Sequence, residues 1–328
     1  MTARILYIKL TQSIAFGVHL PVMEFAGGET ASRDMIISYA QKAEEIGYDS
    51  LSVNDHIVFR TGWLDALSSL SVVAATTHRI KIGTSILNIV IRNPVICAKA
   101  LSSIDILSSG RLFVGLGPGS HKGDYDACGV PFEDRWKRFS EALEVMHALW
   151  NDQEQAELPI AGYEGKYYKF KEIFMVPRPL QKPRPPIMIA SWGSEHGLRR
   201  VAKYGDGWMA SAYNITPEKF KEKWKMLLTF RKELNEDVEL FENSIMTMFG
   251  YIDNDKEKVH RMTKEILSPA LGRTADELEN LLLFGSIDKC LKKVNLLHES
   301  GVKRIHFWPV NDYIEQIERF REMTKNFD

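Results

Sequence analysis

Cysteine is scarce in this chain: Cys97, Cys128 and Cys290 are the only three among 328 residues, and they lie far apart. None has the spacing of a metal or redox pair, and such usage suits a reducing cytoplasm. Long apolar runs are missing as well. No stretch could cross a bilayer, and the apolar run in Met1 to Leu10 is too short for a secretion signal. A tail or an extra edge strand is the expected form of that opening. Charge of one sign is not in excess either. Lys and Arg number 42 against 43 Asp and Glu, a net charge of -1, so no electrostatic pull towards nucleic acid or an anionic membrane is expected. Short repeats and low-complexity tracts are also absent. These exclusions leave a soluble, cytoplasmic globular protein, with 45% hydrophobic residues to build its core.

What the chain does have is alternation. The apolar run Ile80 to Leu87 is followed by Asn93-Pro94, a cap and a first-turn proline. Cys97, Leu101 and Ile104 then mark one helical face, Gly110 supplies a left-handed stop, and a second apolar run closes at Leu116. This predicts a strand–helix–strand crossover in a parallel sheet. Similar strands are expected at 13–20, 49–53, 186–191, 207–211, 244–252 and 302–308. Helices are expected after a Thr30 or Ser32 cap and over 65–77, 132–150, 194–204, 216–235 and 311–327. A long helical stretch from 255 to about 300 contains a break near Phe284-Gly285-Ser286. Eight strand–helix units predict an α/β fold, a (β/α)8 TIM barrel, with 1–328 as one domain. Residues 151–186 fit no unit and read as an insertion between the fourth and fifth, with a hairpin at 163–170 and a proline-rich link at 177–186. Pro118 to Pro131 reads as a functional loop.

Active sites in such barrels lie at the C-terminal ends of the strands. Those ends offer His19, Asp55, His56, Thr84 to Asn88, Gly117 to Ser120, Ser191 to Ser194, Ser211 and Trp308. A single carboxylate argues against a two-carboxylate glycosidase and against a magnesium site. Lys81 and Lys303 sit at the wrong ends of their strands for a Schiff base. The set suits a flat organic cofactor held by backbone groups against apolar walls. His56 is the natural proton carrier, with a plain loop hydrogen bond as its other possible role. His121, His147, His260 and His298 are expected to be solvated, and no metal is expected. Gly115-Leu116-Gly117-Pro118-Gly119 has the wrong spacing for a dinucleotide fingerprint, and Pro118 lacks an N–H for phosphate. It is either a tight turn or a close approach to a ring. Gly193-Ser194 precedes a helix whose first N–H groups could bind an anion, although serine is also a common cap. The stripe Trp136, Phe139, Leu143, Met146 and Trp150 is expected to be core or subunit interface, and a homodimer is expected from it.

With these residues in view, the chain resembles the bacterial-luciferase-like flavin and deazaflavin oxidoreductases from Phe16-Gly17 to Pro309. The resemblance rests on Ala43 to Asp49 leading to Asp55-His56, and on Gly83-Thr84-Ser85-Ile86 followed by Arg92-Asn93-Pro94. It rests also on Ser109-Gly110-Arg111 with Gly115-Leu116-Gly117, and on Tyr204 to Trp208. It implies a TIM barrel with an insertion after the fourth helix, and coenzyme F420 or FMN bound at the C-terminal mouth. It favours F420, with hydride transfer to or from a small organic substrate. FMN with O₂, and reduced flavin from a reductase, is the alternative. By resemblance His56 is the catalytic residue. The cofactor would meet Asp55, Thr84, Ser85, Ile86, Asn88, Gly117, Gly119, Ser120, Ser191, Gly193 and Ser194. In many F420-dependent relatives the peptide matching Ser85-Ile86 is cis and supports the ring. Ser194 would bind phosphate. Ser120 replaces an acid, and Arg60 a tryptophan, found in the sugar-phosphate dehydrogenases of the family, which argues against that substrate.

Overall fold

A computed structural model describes residues 14–25, 31–150 and 159–327. Thr30, the opening ten residues and the start of the insertion lie outside the described residues. Eight parallel strands form the framework: β1 (Ala15–His19), β2 (Ser50–Val53), β3 (Lys81–Thr84) and β4 (Leu112–Leu116), then β5 (Ile187–Ala190), β6 (Gly207–Ser211), β7 (Glu242–Ile252) and β8 (Arg304–Pro309). Each pairs with the next, and β8 returns to β1 through Ala15↔Arg304 and Gly17↔His306, so the sheet closes. The expected (β/α)8 barrel is present.

The helices begin where side chains supply the missing acceptors for their first N–H groups. Ser32 accepts from Met35, Asp65 from Ser68, Asn93 from Val95, Ser194 from Gly197 and Thr216 from Lys219. Pro94 and Pro217 occupy first-turn positions, where a lost N–H costs nothing. After Ile104 the chain turns through Ser109 and Gly110, both at positive φ, into β4. Arg111 locks this corner. Its guanidinium donates to the carbonyls of Ala74, Thr77, Ile80 and Ser108 and to the Thr77 hydroxyl, binding three strand–helix units together.

Two expectations change. The helical stretch from 255 contains a short strand at its break: Leu283–Gly285 pairs in parallel with the far half of β7, beyond the reach of β6. The loop from Pro118 to Pro131 contains a helix, Lys122–Ala127. Of the stripe in the helix Arg135–Trp150, Phe139, Leu143, Met146 and Trp150 are fully buried and Trp136 is exposed. The stripe is core of the protomer, the first of its two expected roles.

Within 159–186 the chain forms the expected hairpin, Tyr163–Glu164 against Lys169–Phe170. The Glu141 carboxylate accepts from the N–H groups of Lys166, Tyr167 and Tyr168 and ties the hairpin turn to the long helix. Inside the barrel, Phe113, Met188, Met209 and Met246 form the apolar plug, with Ile86 and Ala190 packed on it. Lys81, at the start of β3, faces the end of the barrel away from His56.

Candidate active site

The C-terminal ends of β2, β3 and β4 converge, and with them the residues that carry chemistry. His56 follows β2. Its Nδ1–H donates to Asp124 Oδ2 at 2.8 Å, while Asp124 Oδ1 accepts from the N–H groups of Ile57 and Val58, each at 2.9 Å. Burial works to raise the Asp124 carboxyl. The hydrogen bonds from His56, Val58 and Ile57, with the charge of His56, overcome it and hold the group below the usual carboxylate range. Asp124 is therefore an ionised acceptor, and the tautomer of His56 with its hydrogen on Nδ1 is favoured. Sequence reasoning missed Asp124 because it lies in the short helix of a segment read as loop. An acid four residues before the apolar turn Cys128 to Val130 is too common a pattern to flag.

Aromatic rings wall His56. The Phe59 and Trp63 rings lie 4.7 and 4.5 Å from its ring, and the His121 ring lies 5.4 Å away. His121 is thus part of the site rather than merely solvated, and its Nδ1 is 3.5 Å from Asp124 Oδ2. His56, His121 and Asp124 offer ligand atoms within 4.8 Å of one another. An ion there would displace the His56–Asp124 bond, which the network already satisfies without metal.

On the β1–β8 side, His19 stacks on Trp308 with ring centroids 3.4 Å apart and planes 10° from parallel. Burial drives the His19 pKa down to about 3, against the bond to the Leu20 carbonyl and a contact with Asn54, so the ring is neutral. The indole N–H groups of Trp63 and Trp308 are buried without a partner among the described residues. Such donors fit the acceptor atoms of a bound ring system.

The peptide between Ser85 and Ile86 is cis. Beyond it the chain rejoins β4, with Leu87 donating to the Gly115 carbonyl and Gly117 to the Leu87 carbonyl. A Cβ on Gly117 would lie 3.1 Å from Ile86 Cγ1, and Gly119, at φ +67, lies so close to Asn88 that a Cβ would stand 2.8 Å from its Nδ2. This cradle of small residues over Ile86 fits a flat ring approaching the backbone.

Other expected contacts have different partners. Both Asp55 oxygens are taken by Arg92, at 2.8 and 2.6 Å, and Arg92 also reaches Asp65 at 2.5 Å. Asp55 thereby anchors the strand end. Asn88 caps Val90 and donates to the Pro118 carbonyl, and the Thr84 hydroxyl donates to the Gly115 carbonyl. Both hold the rim from behind. Ser120 is exposed, and the Ser191 hydroxyl accepts from Gly193 N–H. Ser194 is exposed at the start of the helix Glu195–Tyr204, where it caps the Gly197 N–H.

The buried histidines set a pH dependence of stability. His19 is lowered to about 3, and burial, then Arg304 and His19, hold His306 well below its ordinary value of 6.5. In the unfolded chain both take up protons as the pH falls through about 6.5, while the folded protein does not. Stability is therefore full above that pH and declines steadily towards pH 3. Below about pH 4, protonation of Asp124 and Asp65, both lowered in the fold, removes more. Urea midpoints measured at about pH 7.5 and about pH 5 are expected to fall between the two. Equal midpoints would show that these rings are not buried neutral.

Residues 14–279 match the family model described as luciferase-like monooxygenase. The F420-dependent glucose-6-phosphate dehydrogenase of Amycolatopsis mediterranei is 31% identical over 191 residues, which cover 54% of this chain and 53% of that protein. The chain thus spans about half the length of the curated relatives it matches. Among solved structures, an F420-dependent secondary alcohol dehydrogenase in complex with an F420-acetone adduct has a TM-score of 0.82 at 18% identity, covering 96% of this chain and 99% of that one. The oxygenating constituent of 3,6-diketocamphane monooxygenase from Pseudomonas putida, in complex with FMN, has a TM-score of 0.71 at 16% identity, covering 95% and 96%. At these identities the two structures speak for the fold alone.

Proposed function

The chain belongs to the luciferase-like monooxygenase family, and from that premise we propose that it is an oxidoreductase using coenzyme F420 to transfer hydride to or from a small organic substrate. The observation that carries the reading is His56, held by an ionised Asp124 at a strand end within an aromatic wall. The F420-dependent relative at 31% identity supports the choice of cofactor.

Bound F420 would supply a two-electron hydride carrier. Ile86, with the glycines at 117 and 119, would lie against the ring. The free N–H groups at the start of the Ser194 helix would meet phosphate, with Gly193 at φ +89 turning the chain into it. Phe59 and Trp63 exclude water from the reacting centre. With its Nδ1–H committed to Asp124, His56 has Nε2 as its basic nitrogen. It takes the hydroxyl proton as an alcohol carbon becomes a carbonyl, and returns it in the reverse direction.

A second reading, oxygenation with FMN and O₂, with reduced flavin delivered by a reductase, draws on the FMN-holding monooxygenase of the same fold. Titration of the purified protein with F420 and with FMN, followed by ring absorbance and fluorescence, separates the two. Binding of F420 with FMN ignored is expected, and the reverse preference would overturn the deazaflavin reading. Ser194→Asp preserves the helix cap but sets a carboxylate against the cofactor phosphate. It is expected to weaken F420 binding by about tenfold or more, and unchanged affinity would place the phosphate elsewhere.

A further inference from the structure

At the end of the barrel opposite His56, the beginnings of the strands surround a second cleft of about 730 Å³, including the part open to solvent. Its depth is apolar, made by Phe113, Met188 and Met209, the underside of the barrel plug. Large side chains reach this level because neighbouring strands give way to glycine. A Cβ on Gly207 would stand 2.4 Å from Met188 Cε, and one on Gly17 would stand 2.6 Å from His306 Cε1.

Three buried polar side chains line the cleft, and Asn243 is satisfied by donating to the Gly301 carbonyl and accepting from the Lys303 N–H. His306 is complete: its ring nitrogens meet the hydroxyls of Ser50 and Ser52 at 3.2 and 3.0 Å. Ser244 is not. Its hydroxyl is on a residue only 2% exposed, lines the cleft, and has no partner among the described residues. A buried hydroxyl without a partner is costly, and a ligand oxygen would satisfy it. The rim carries Lys81, Arg111 and Arg304 against Glu242, three cations to one carboxylate. Arg111 is occupied by carbonyls and the Thr77 hydroxyl, whereas Lys81 and Arg304 form no ion pair among the described residues. A cleft with an apolar floor, one deep donor and two uncommitted cations at its entrance matches one ligand chemistry.

We propose that this cleft is a second ligand site, separate from the mouth, for a small organic monocarboxylate with an oxygen function in its body. The carboxylate meets Arg304 and Lys81, the carbon chain covers Phe113, Met188 and Met209, and the Ser244 hydroxyl donates to the internal oxygen. The assignment rests on the floor of the barrel alone and does not depend on which cofactor occupies the mouth.

Calorimetry with 5-oxohexanoate on the full chain tests it, with 2-hexanone as the neutral comparator. Saturable binding of 5-oxohexanoate is expected, with 2-hexanone at least about tenfold weaker. Arg304→Gln is expected to weaken binding by about tenfold or more, and Ser244→Ala by about threefold to tenfold, with F420 titration at the mouth unaltered. Thermal melting confirms that each variant folds. Should Arg304→Gln not fold, Lys81→Gln, on an exposed side chain, reads the same charge. Absence of saturable binding, equal binding of 2-hexanone, or unchanged affinity in the charge variants would each overturn the proposal.

Discussion

His56→Ala is expected to lower turnover by about 10²- to 10⁴-fold, the usual worth of a positioned general acid or base, with F420 affinity little changed. The split matters. A histidine that merely propped a loop would disturb cofactor binding and stability at least as much as rate. The companion variant is Asp124→Asn, which keeps the shape of the side chain. Its amide can face His56 with N–H in place of an oxygen, which removes the charge beside the ring and favours the wrong tautomer. Turnover is expected to fall by about 10²-fold or more. The measurement is F420 reduction or oxidation with any substrate that turns over. If Asp124→Asn leaves the rate as it is, His56 works without its partner and the acid–base assignment fails.

Asp55→Ala is expected to destabilise the protein by about 3–5 kcal/mol, because it strands the charge of Arg92 in a largely dry site. The Asp55 side chain is wholly inaccessible and that of Arg92 only 17% exposed, so water offers little compensation. Burial opposes the charge of Arg92, yet its bonds to Asp55 and Asp65 keep it firmly protonated. A lower urea midpoint with an unchanged slope would report this loss. Replacing both partners, Asp55→Leu with Arg92→Met, is expected to recover much of it, since neither charge is then left alone. A single variant as stable as the parent would mean that Asp65 alone satisfies Arg92.

Much of the frame was legible in the letters because local chemistry decided it. Ser32, Asp65, Asn93 and Ser194 stand where helices need an acceptor, and each serves as one. The apolar runs of the buried strands and the irregularity of the insertion were visible for the same reason. Short elements were not. Leu283-Phe284-Gly285 is too brief to show a strand period and lies between helices, so only its pairing with β7 distinguishes it. The helix at Lys122–Ala127, with Gly123 inside it, looks like loop. In the site, position along a strand placed His56 and Asp55 at the mouth, but not their partners. Arg92 and Asp124 come from 37 and 68 residues further along the chain, and no spacing rule links them.

His56 and the carboxylate that holds it come from different strand ends: His56 follows β2, and Asp124 lies beyond β4. The aromatic walls Phe59 and Trp63 share a loop with the histidine, not with its partner. Evolution can therefore rework the two loops for separate ends. Changes around Phe59 and Trp63 would redraw which molecules fit. Changes around Asp124 would alter how firmly the histidine is held without reshaping that fit. Such a division lets one scaffold diverge into many specificities while its proton chemistry is inherited intact.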